Sequence, residues 1–178
     1  MKKYVSIALA LVLGLSLCAC GGTDGAEGGG TTGGSTSFQY ESTDFAGEPF
    51  HFEDVLAENE LTMVNVWGTW CTYCILEMPE LEKLHQNYRE SDDKVAIIGL
   101  WTDVDEEEEC AEILESTGVT YPIVRFTDEM GKAIDTSMLP VTYFVDREGE
   151  PVGDVVLGAR DEAEWEEIIQ ERLEQVRG

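Results

Sequence analysis

Two short, mostly apolar runs, LTMVNVW at 61–67 and KVAIIGLW at 94–101, are too short for core helices and rich enough in β-branched residues for buried strands. Between them the apolar positions change to helical spacing. Cys74, Leu81, Leu84 and Tyr88 fall on one stripe of a segment from Cys71 to Arg89, with the carboxylate Glu77 on the same stripe. Pro79 lies inside that predicted helix and should kink or divide it. Upstream, FQYESTDFAGEPFHFEDV at 38–55 places Phe38, Tyr40, Phe50 and Phe52 in alternation around a turn near Ala46 and Gly47, a hairpin pattern. Downstream, the pattern predicts an acidic helix over 105–117 stopped by Gly118, and then an extended segment in VTYPIVRF. LPVTYFVD and PVGDVVLG read as two strands, antiparallel because only Arg147, Glu148, Gly149 and Glu150 join them. Trp165, Ile168, Ile169, Leu173 and Val176 recur at helical spacing after Asp161 and read as the packing stripe of a last helix. Strands alternating with helices, closed by a hairpin and a helix, give an α/β sandwich on a mixed sheet.

The first residues follow none of these patterns. Lys2 and Lys3 precede an apolar run at 4–17 that is short for a membrane span, and the run ends in Leu17, Cys18, Ala19 and Cys20. This ending resembles a bacterial lipobox, whose cysteine is lipidated and becomes the mature N-terminus. Cys20 fits better than Cys18, because small Ala19 precedes it. Residues 1–19 are then a lipoprotein signal peptide. Residues 20–37 are the lipidated cysteine and a Gly-rich flexible tether without a large apolar side chain, and residues 38–178 are the domain. An ordinary signal peptide cut after Ala19 and a retained transmembrane anchor are the alternatives. Each places the domain outside the cytoplasm, and lipidation places it on the extracytoplasmic face of the bacterial cell membrane.

Charge narrows the partners. The 178 residues include 37 acidic and 11 basic ones, a formal net charge of −26. Such a surface repels nucleic acid and anionic lipid headgroups, so contact with the lipid bilayer has to come from the N-terminal anchor.

Of the five cysteines, Cys71, Cys74 and Cys110 remain once Cys18 leaves with the leader and Cys20 carries lipid. Structural zinc calls for four ligands, whereas there is one Cys-x-x-Cys pair, and His51 and His85 lie in the hairpin and on a polar part of the helix. A permanent disulfide across so short a ring would constrain the unfolded chain little. A redox pair has a stronger physical basis. A cysteine opening a helix faces unpaired N–H groups and the positive end of the macrodipole, which stabilise a thiolate. The second cysteine, one turn in, can attack back and release a mixed disulfide. Cys71 is therefore the expected exposed nucleophile and Cys74 the resolving thiol. Cys110 shares a face with Ile113 and Leu114 and follows four glutamates, which disfavour a thiolate. It reads as an inert core thiol, with a third redox centre as the alternative.

A strand followed by WGTWCTYCILEMP at 67–79, and later LPVTYFVD, resembles the thioredoxin superfamily. More narrowly, residues 38–176 resemble the membrane-anchored TlpA/ResA-type thiol–disulfide oxidoreductases. The resemblance implies a thioredoxin-like α/β fold with an N-terminal β-hairpin and an extra strand–helix insertion on a mixed central sheet. It implies that Pro140 is a cis-proline facing the disulfide, with Leu139 offering a backbone edge to a substrate peptide, and that Pro79 kinks the helix. Trp67 and Trp70 would shape the surround, with simple core packing as the alternative for Trp67.

Where thioredoxins keep a buried aspartate, six residues before the first cysteine, this chain has Asn65. An amide cannot accept the resolving thiol's proton. Glu77 can, and it matches the ResA-type glutamate three residues after the second cysteine. Its place on the core stripe points independently to a buried acid–base group for Cys74, unless a kink at Pro79 turns it to solvent.

The function so implied is an extracytoplasmic reductase of disulfides in exported proteins, such as apocytochrome c. An integral membrane reductant carrier of the CcdA/DsbD type would recharge it, and no cofactor is needed beyond the redox-active Cys71–Cys74 disulfide. The alternatives are a disulfide-forming oxidase, an electron donor to an exported methionine sulfoxide reductase, a peroxiredoxin-type peroxidase, or a non-catalytic surface lipoprotein. The peroxidase needs a threonine three residues before the attacking cysteine, whereas Thr69 is two before Cys71.

Overall fold

The computed structural model describes residues 37–178. The expected signal peptide, the lipidation site at Cys20 and the tether up to residue 36 lie outside the described residues. A two-stranded hairpin, β1 (Glu41–Thr43) and β2 (Pro49–His51), precedes a five-stranded sheet. The sheet order is β5 (Ile123–Arg125), β4 (Val95–Trp101), β3 (Leu61–Trp67), β6 (Val141–Val145) and β7 (Val156–Leu157). The first three of these run parallel and the last two join antiparallel. Helices α2 (Thr72–Arg89), α3 (Glu107–Thr117) and α4 (Glu162–Arg177) complete the expected mixed α/β arrangement.

Every residue of β3 is buried, because both of its faces are covered. Leu61, Met63 and Trp67 join a core that includes α2 and α4 residues such as Met78, Leu81, Trp165 and Ile169. The intervening Val64 and Val66 join a second core with Phe38, Phe52 and Leu56. Alternation along one strand thus connects both layers. The hairpin meets the β5 end of the sheet, with the Phe45 N–H on the Ile123 carbonyl at 2.8 Å and the Ser42 hydroxyl on the Arg125 carbonyl at 2.7 Å. That contact shields one sheet edge.

Three local expectations change. The hairpin strands are short, because Phe52 opens a helix, α1 (Phe52–Glu58), whose Phe52 and Leu56 face the core one turn apart. Of the two outcomes expected at Pro79, division does not occur: helix α2 runs on through it. Proline forfeits the bond to the Ile75 carbonyl, but the packing of Met78 and Leu81 on either side keeps the helix together. The last strand shrinks to two residues, preceded by an isolated bridge between Val145 and Pro151. Gly153, with φ of 69°, takes the chain off the ladder there, and the half-layer beside it is filled by the Arg172 guanidinium. Arg172 is buried with its guanidinium 5.9 Å from the centre of the Phe144 ring.

Helix ends follow their sequence signals. Gly118 closes α3 at φ 70° with its N–H on the Leu114 carbonyl, and Asp161 with Glu164 forms a capping box at the start of α4.

Gly118 and Gly153 share a left-handed backbone but differ in surroundings: a Cβ at 118 meets nothing, whereas one at 153 runs into Arg172. Gly118→Ala should therefore cost about 1–2 kcal/mol in urea denaturation. Gly153→Ala should cost roughly 1–3 kcal/mol more from overpacking. Equal losses would show that Arg172 does not occupy that space tightly.

Candidate active site

Strand β3 delivers Gly68, Thr69 and Trp70 to the start of α2, where Cys71 is the N-cap. Its sulfur accepts the Cys74 N–H at 3.2 Å, so the helix start directs a donor at this atom. Cys71 and Cys74 are joined as a disulfide, with Cα atoms 5.3 Å apart. Cys71 is 5% exposed and Cys74 1%. Cys71 as a residue is thus less open than the exposed thiol expected from sequence, and Gly68 and Thr69 of the preceding loop are buried with it.

That loop has an anchor. The Asp103 carboxylate, just beyond β4, accepts the Thr69 N–H at 3.1 and 3.0 Å and also the Thr69 hydroxyl. Thr102 adds a hydroxyl and an N–H on the Trp67 carbonyl, each at 3.0 Å. Sequence reasoning passed over Asp103. The available signal was a polar pair, Thr102 and Asp103, ending the strand parallel to the one that carries the cysteines.

Glu77 lies one turn beyond Cys74 and is 2% exposed. Its Oε1 accepts the Arg160 N–H and the Trp165 indole N–H, each at 2.8 Å, and its Oε2 accepts the Asn65 amide at 3.1 Å. The same Asn65 nitrogen donates to the Thr142 hydroxyl at 3.0 Å. Burial pushes Glu77 up from its ordinary 4.5 to about 7, with the three donors pulling the other way. Asn65 is therefore a donor that orients the carboxylate. Trp165 packs against Phe144, as its stripe predicts, and also spends its indole N–H on Glu77.

The Leu139–Pro140 peptide is cis. Pro140 is buried, and its carbonyl accepts the Gly158 N–H at 2.9 Å. Leu139 is half-buried and packs against both cores. Trp70, Tyr73 and Leu76 are exposed around the start of α2. Trp67 corrects the sequence expectation: it is fully buried and presents no surface to a substrate. Strand alternation places it with Leu61 and Met63 beneath α2, so of the two tryptophans only Trp70 faces outward. Cys110 is also fully buried, and desolvation, with Asp103 and Glu107 adding to it against Arg125, pushes its thiol up to about 12.

A cysteine pair opening a helix from the end of a central strand, with a cis-proline before the antiparallel neighbour, defines a thioredoxin-fold thiol–disulfide oxidoreductase. Residues 35–151 match the AhpC/TSA family, and the chain belongs to that family. It is 28% identical over 145 residues to the thiol-disulfide oxidoreductase ResA of Geobacillus kaustophilus (strain HTA426), covering 81% of this chain and 78% of that protein. It is 30% identical over 128 residues to the thioredoxin-like protein YneN of Bacillus subtilis (strain 168), covering 70% and 71%. Among solved structures, a thioredoxin family thiol:disulfide interchange protein from Chlorobium tepidum TLS superposes with a TM-score of 0.65 at 21% identity, covering 75% of this chain and 92% of that one. StoA from Bacillus subtilis gives 0.59 at 18%, covering 72% and 93%. At such identities these two structures bear on the fold.

The raised Glu77 couples folding to pH. Between 4.5 and about 7 the folded protein holds a proton that the unfolded chain has released, so this group's contribution is greatest at low pH and is lost as pH rises through about 7. Urea titrations of the oxidised protein should show the stability of Glu77→Gln gaining on the wild type by roughly 2–3 kcal/mol from pH 5 to pH 8.5. A constant difference across that range would place the carboxylate back at its ordinary value.

Proposed function

We propose that this chain is a lipid-anchored extracytoplasmic reductase of disulfides in exported proteins, with apocytochrome c as the family-typical target. The observation that carries the reading is a carboxylate buried one helical turn beyond Cys74 and pushed up to about 7, poised to take and return a proton near neutral pH. The resemblance to ResA-type proteins supports the reducing direction. The lipobox-like ending at Cys20 supports lipid anchoring on the outer face of the cell membrane. A CcdA/DsbD-type carrier would restore the dithiol, and the Cys71–Cys74 pair needs no further cofactor.

The cycle starts from that dithiol. The Cys71 thiolate attacks one sulfur of the substrate disulfide, the substrate S–S bond breaks, and its other sulfur leaves as a thiolate that takes a proton. Cys71 is now in a mixed disulfide. Cys74 passes its proton to the Glu77 carboxylate and attacks the Cys71 sulfur. The mixed disulfide breaks, and the second substrate thiolate leaves and is protonated. Two electrons have moved from the cysteine pair to the substrate, giving two substrate thiols and the disulfide form of the site. Exposed Trp70, Tyr73 and Leu76 supply an apolar surface for the polypeptide, and the Leu139 backbone would pair with an extended segment of it. The peroxidase alternative would need a threonine three residues before Cys71, where this chain has Gly68, and the neighbouring Thr69 gives its hydroxyl to Asp103.

A reduction potential far below the value of about −120 mV typical of a strong oxidant should be found, and a potential near it would favour the oxidase. In stopped-flow reactions with a disulfide peptide, Glu77→Gln should leave the first attack within about twofold and slow release of the mixed disulfide by about a hundredfold or more. Cys74→Ser should trap exported proteins on Cys71. Unchanged release from pH 6 to 9 would remove Glu77 from the mechanism.

A further inference from the structure

The large apolar side chains left exposed among the described residues form two groups. Trp70, Tyr73 and Leu76 surround the start of α2. Met138, Val155 and Leu157 lie around a cavity of about 270 Å³ that Val141 and Tyr143 also line.

Position ties this cavity to the site. Leu157 pairs with Val141, the residue after Pro140, and the next amide, Gly158 N–H, is bonded to the Pro140 carbonyl. Thr142 and Phe144 point toward Asn65 and Trp165, so alternation turns Val141 and Tyr143 to the opposite face. On that face Phe38, Phe52 and Leu56 cover the middle of the sheet, whereas Leu157 on the outer strand and Val155 just before it stay exposed. An apolar cavity on a sheet edge is a place for an extended chain to pair and insert a side chain.

Charge selects the occupant. Residues 21–37 of the chain itself carry no large apolar side chain to fill the cavity. A second copy would bring another net charge of −26 to the contact, and nucleic acid is repelled by the same charge. Asp135, at the cavity, is exposed and held by the Ser137 N–H at 2.8 Å, and no lysine or arginine lines the space. A cationic neighbour to the inserted side chain fits this rim.

We propose that the cavity between Met138, Val155 and Leu157 is a second substrate subsite, taking an apolar side chain of the disulfide-bearing polypeptide with a lysine or arginine beside it. The proposal rests on the thiol–disulfide reading of Cys71 and Cys74. Substrate specificity then comes from two contacts, the disulfide itself and a flanking apolar–basic pair that reaches β7.

The test compares a small aromatic disulfide with two disulfide peptides that differ only in one flank, Leu-Lys or Ser-Ser. The wild type should reduce the Leu-Lys peptide with a kcat/KM about tenfold higher, expressed in KM and diminished at high salt. Leu157 and Met138 are 51% and 58% exposed, so Leu157→Ser and Met138→Ser leave the core intact. Either variant should abolish the Leu-Lys advantage and leave the small disulfide unchanged. Equal rates for the two peptides on the wild type would overturn the subsite, as would a variant that slows the small disulfide as much as the Leu-Lys peptide. Failure of the wild type to reduce the small disulfide would instead overturn the thiol–disulfide reading, and the subsite with it.

Discussion

A carboxylate withdrawn from water is costly, and in this domain one such group joins the helix, the sheet and the C-terminal segment. Glu77 on α2 accepts from Asn65 on β3, from the backbone of Arg160 before α4, and from Trp165 within α4. Hydrogen bonds to a charged group contribute about 1.5–3 kcal/mol each, and desolvation of the ion costs several. These opposing terms leave the group midway, raised to about 7 instead of being locked in either form. The same contacts fix where α4 starts relative to the cysteine helix, so the proton site and the packing of three elements are one arrangement.

What could be read from sequence was mostly local. The bounds of β3, the stop at Gly118 and the cap at Asp161 each follow from a few adjacent residues, and so does the stripe that buries Glu77. Helix α1 escaped because its seven residues bury only Phe52 and Leu56 fully, with Val55 packed at the margin, and Phe52 also completed a convincing strand alternation. The short β7 escaped because the cause lies in Arg172, which fills the space beside Gly153. The partners of Glu77 were illegible for a different reason: Arg160 and Trp165 are 83 and 88 residues away in sequence, and one contributes only its backbone. Asp103 is similarly 34 residues from the threonine that it holds.

The distribution of charge has a physical sense beside the thiols. Residues 68–76, 136–141 and 155–159 contain no charged side chain, although the chain as a whole carries a net charge of −26. These stretches leave an apolar face where polypeptides would approach, and the two carboxylates that do come near the cysteines, Glu77 and Asp103, are each taken up by hydrogen-bond donors. The acidic remainder then acts at longer range, favouring approach by cationic chains and keeping copies of the domain apart.

The Arg160 contact bears on how such a site can drift in evolution. The donor is a main-chain N–H, so nineteen of the twenty residue types could stand at 160 and hold Glu77 equally well, as far as that bond is concerned. Only proline would erase it. Asn65 and Trp165, by contrast, act through side chains and leave few interchangeable choices. Two chains could therefore share this proton site while differing freely at one of its three donors, so letter-by-letter likeness understates how much of the chemistry has been inherited.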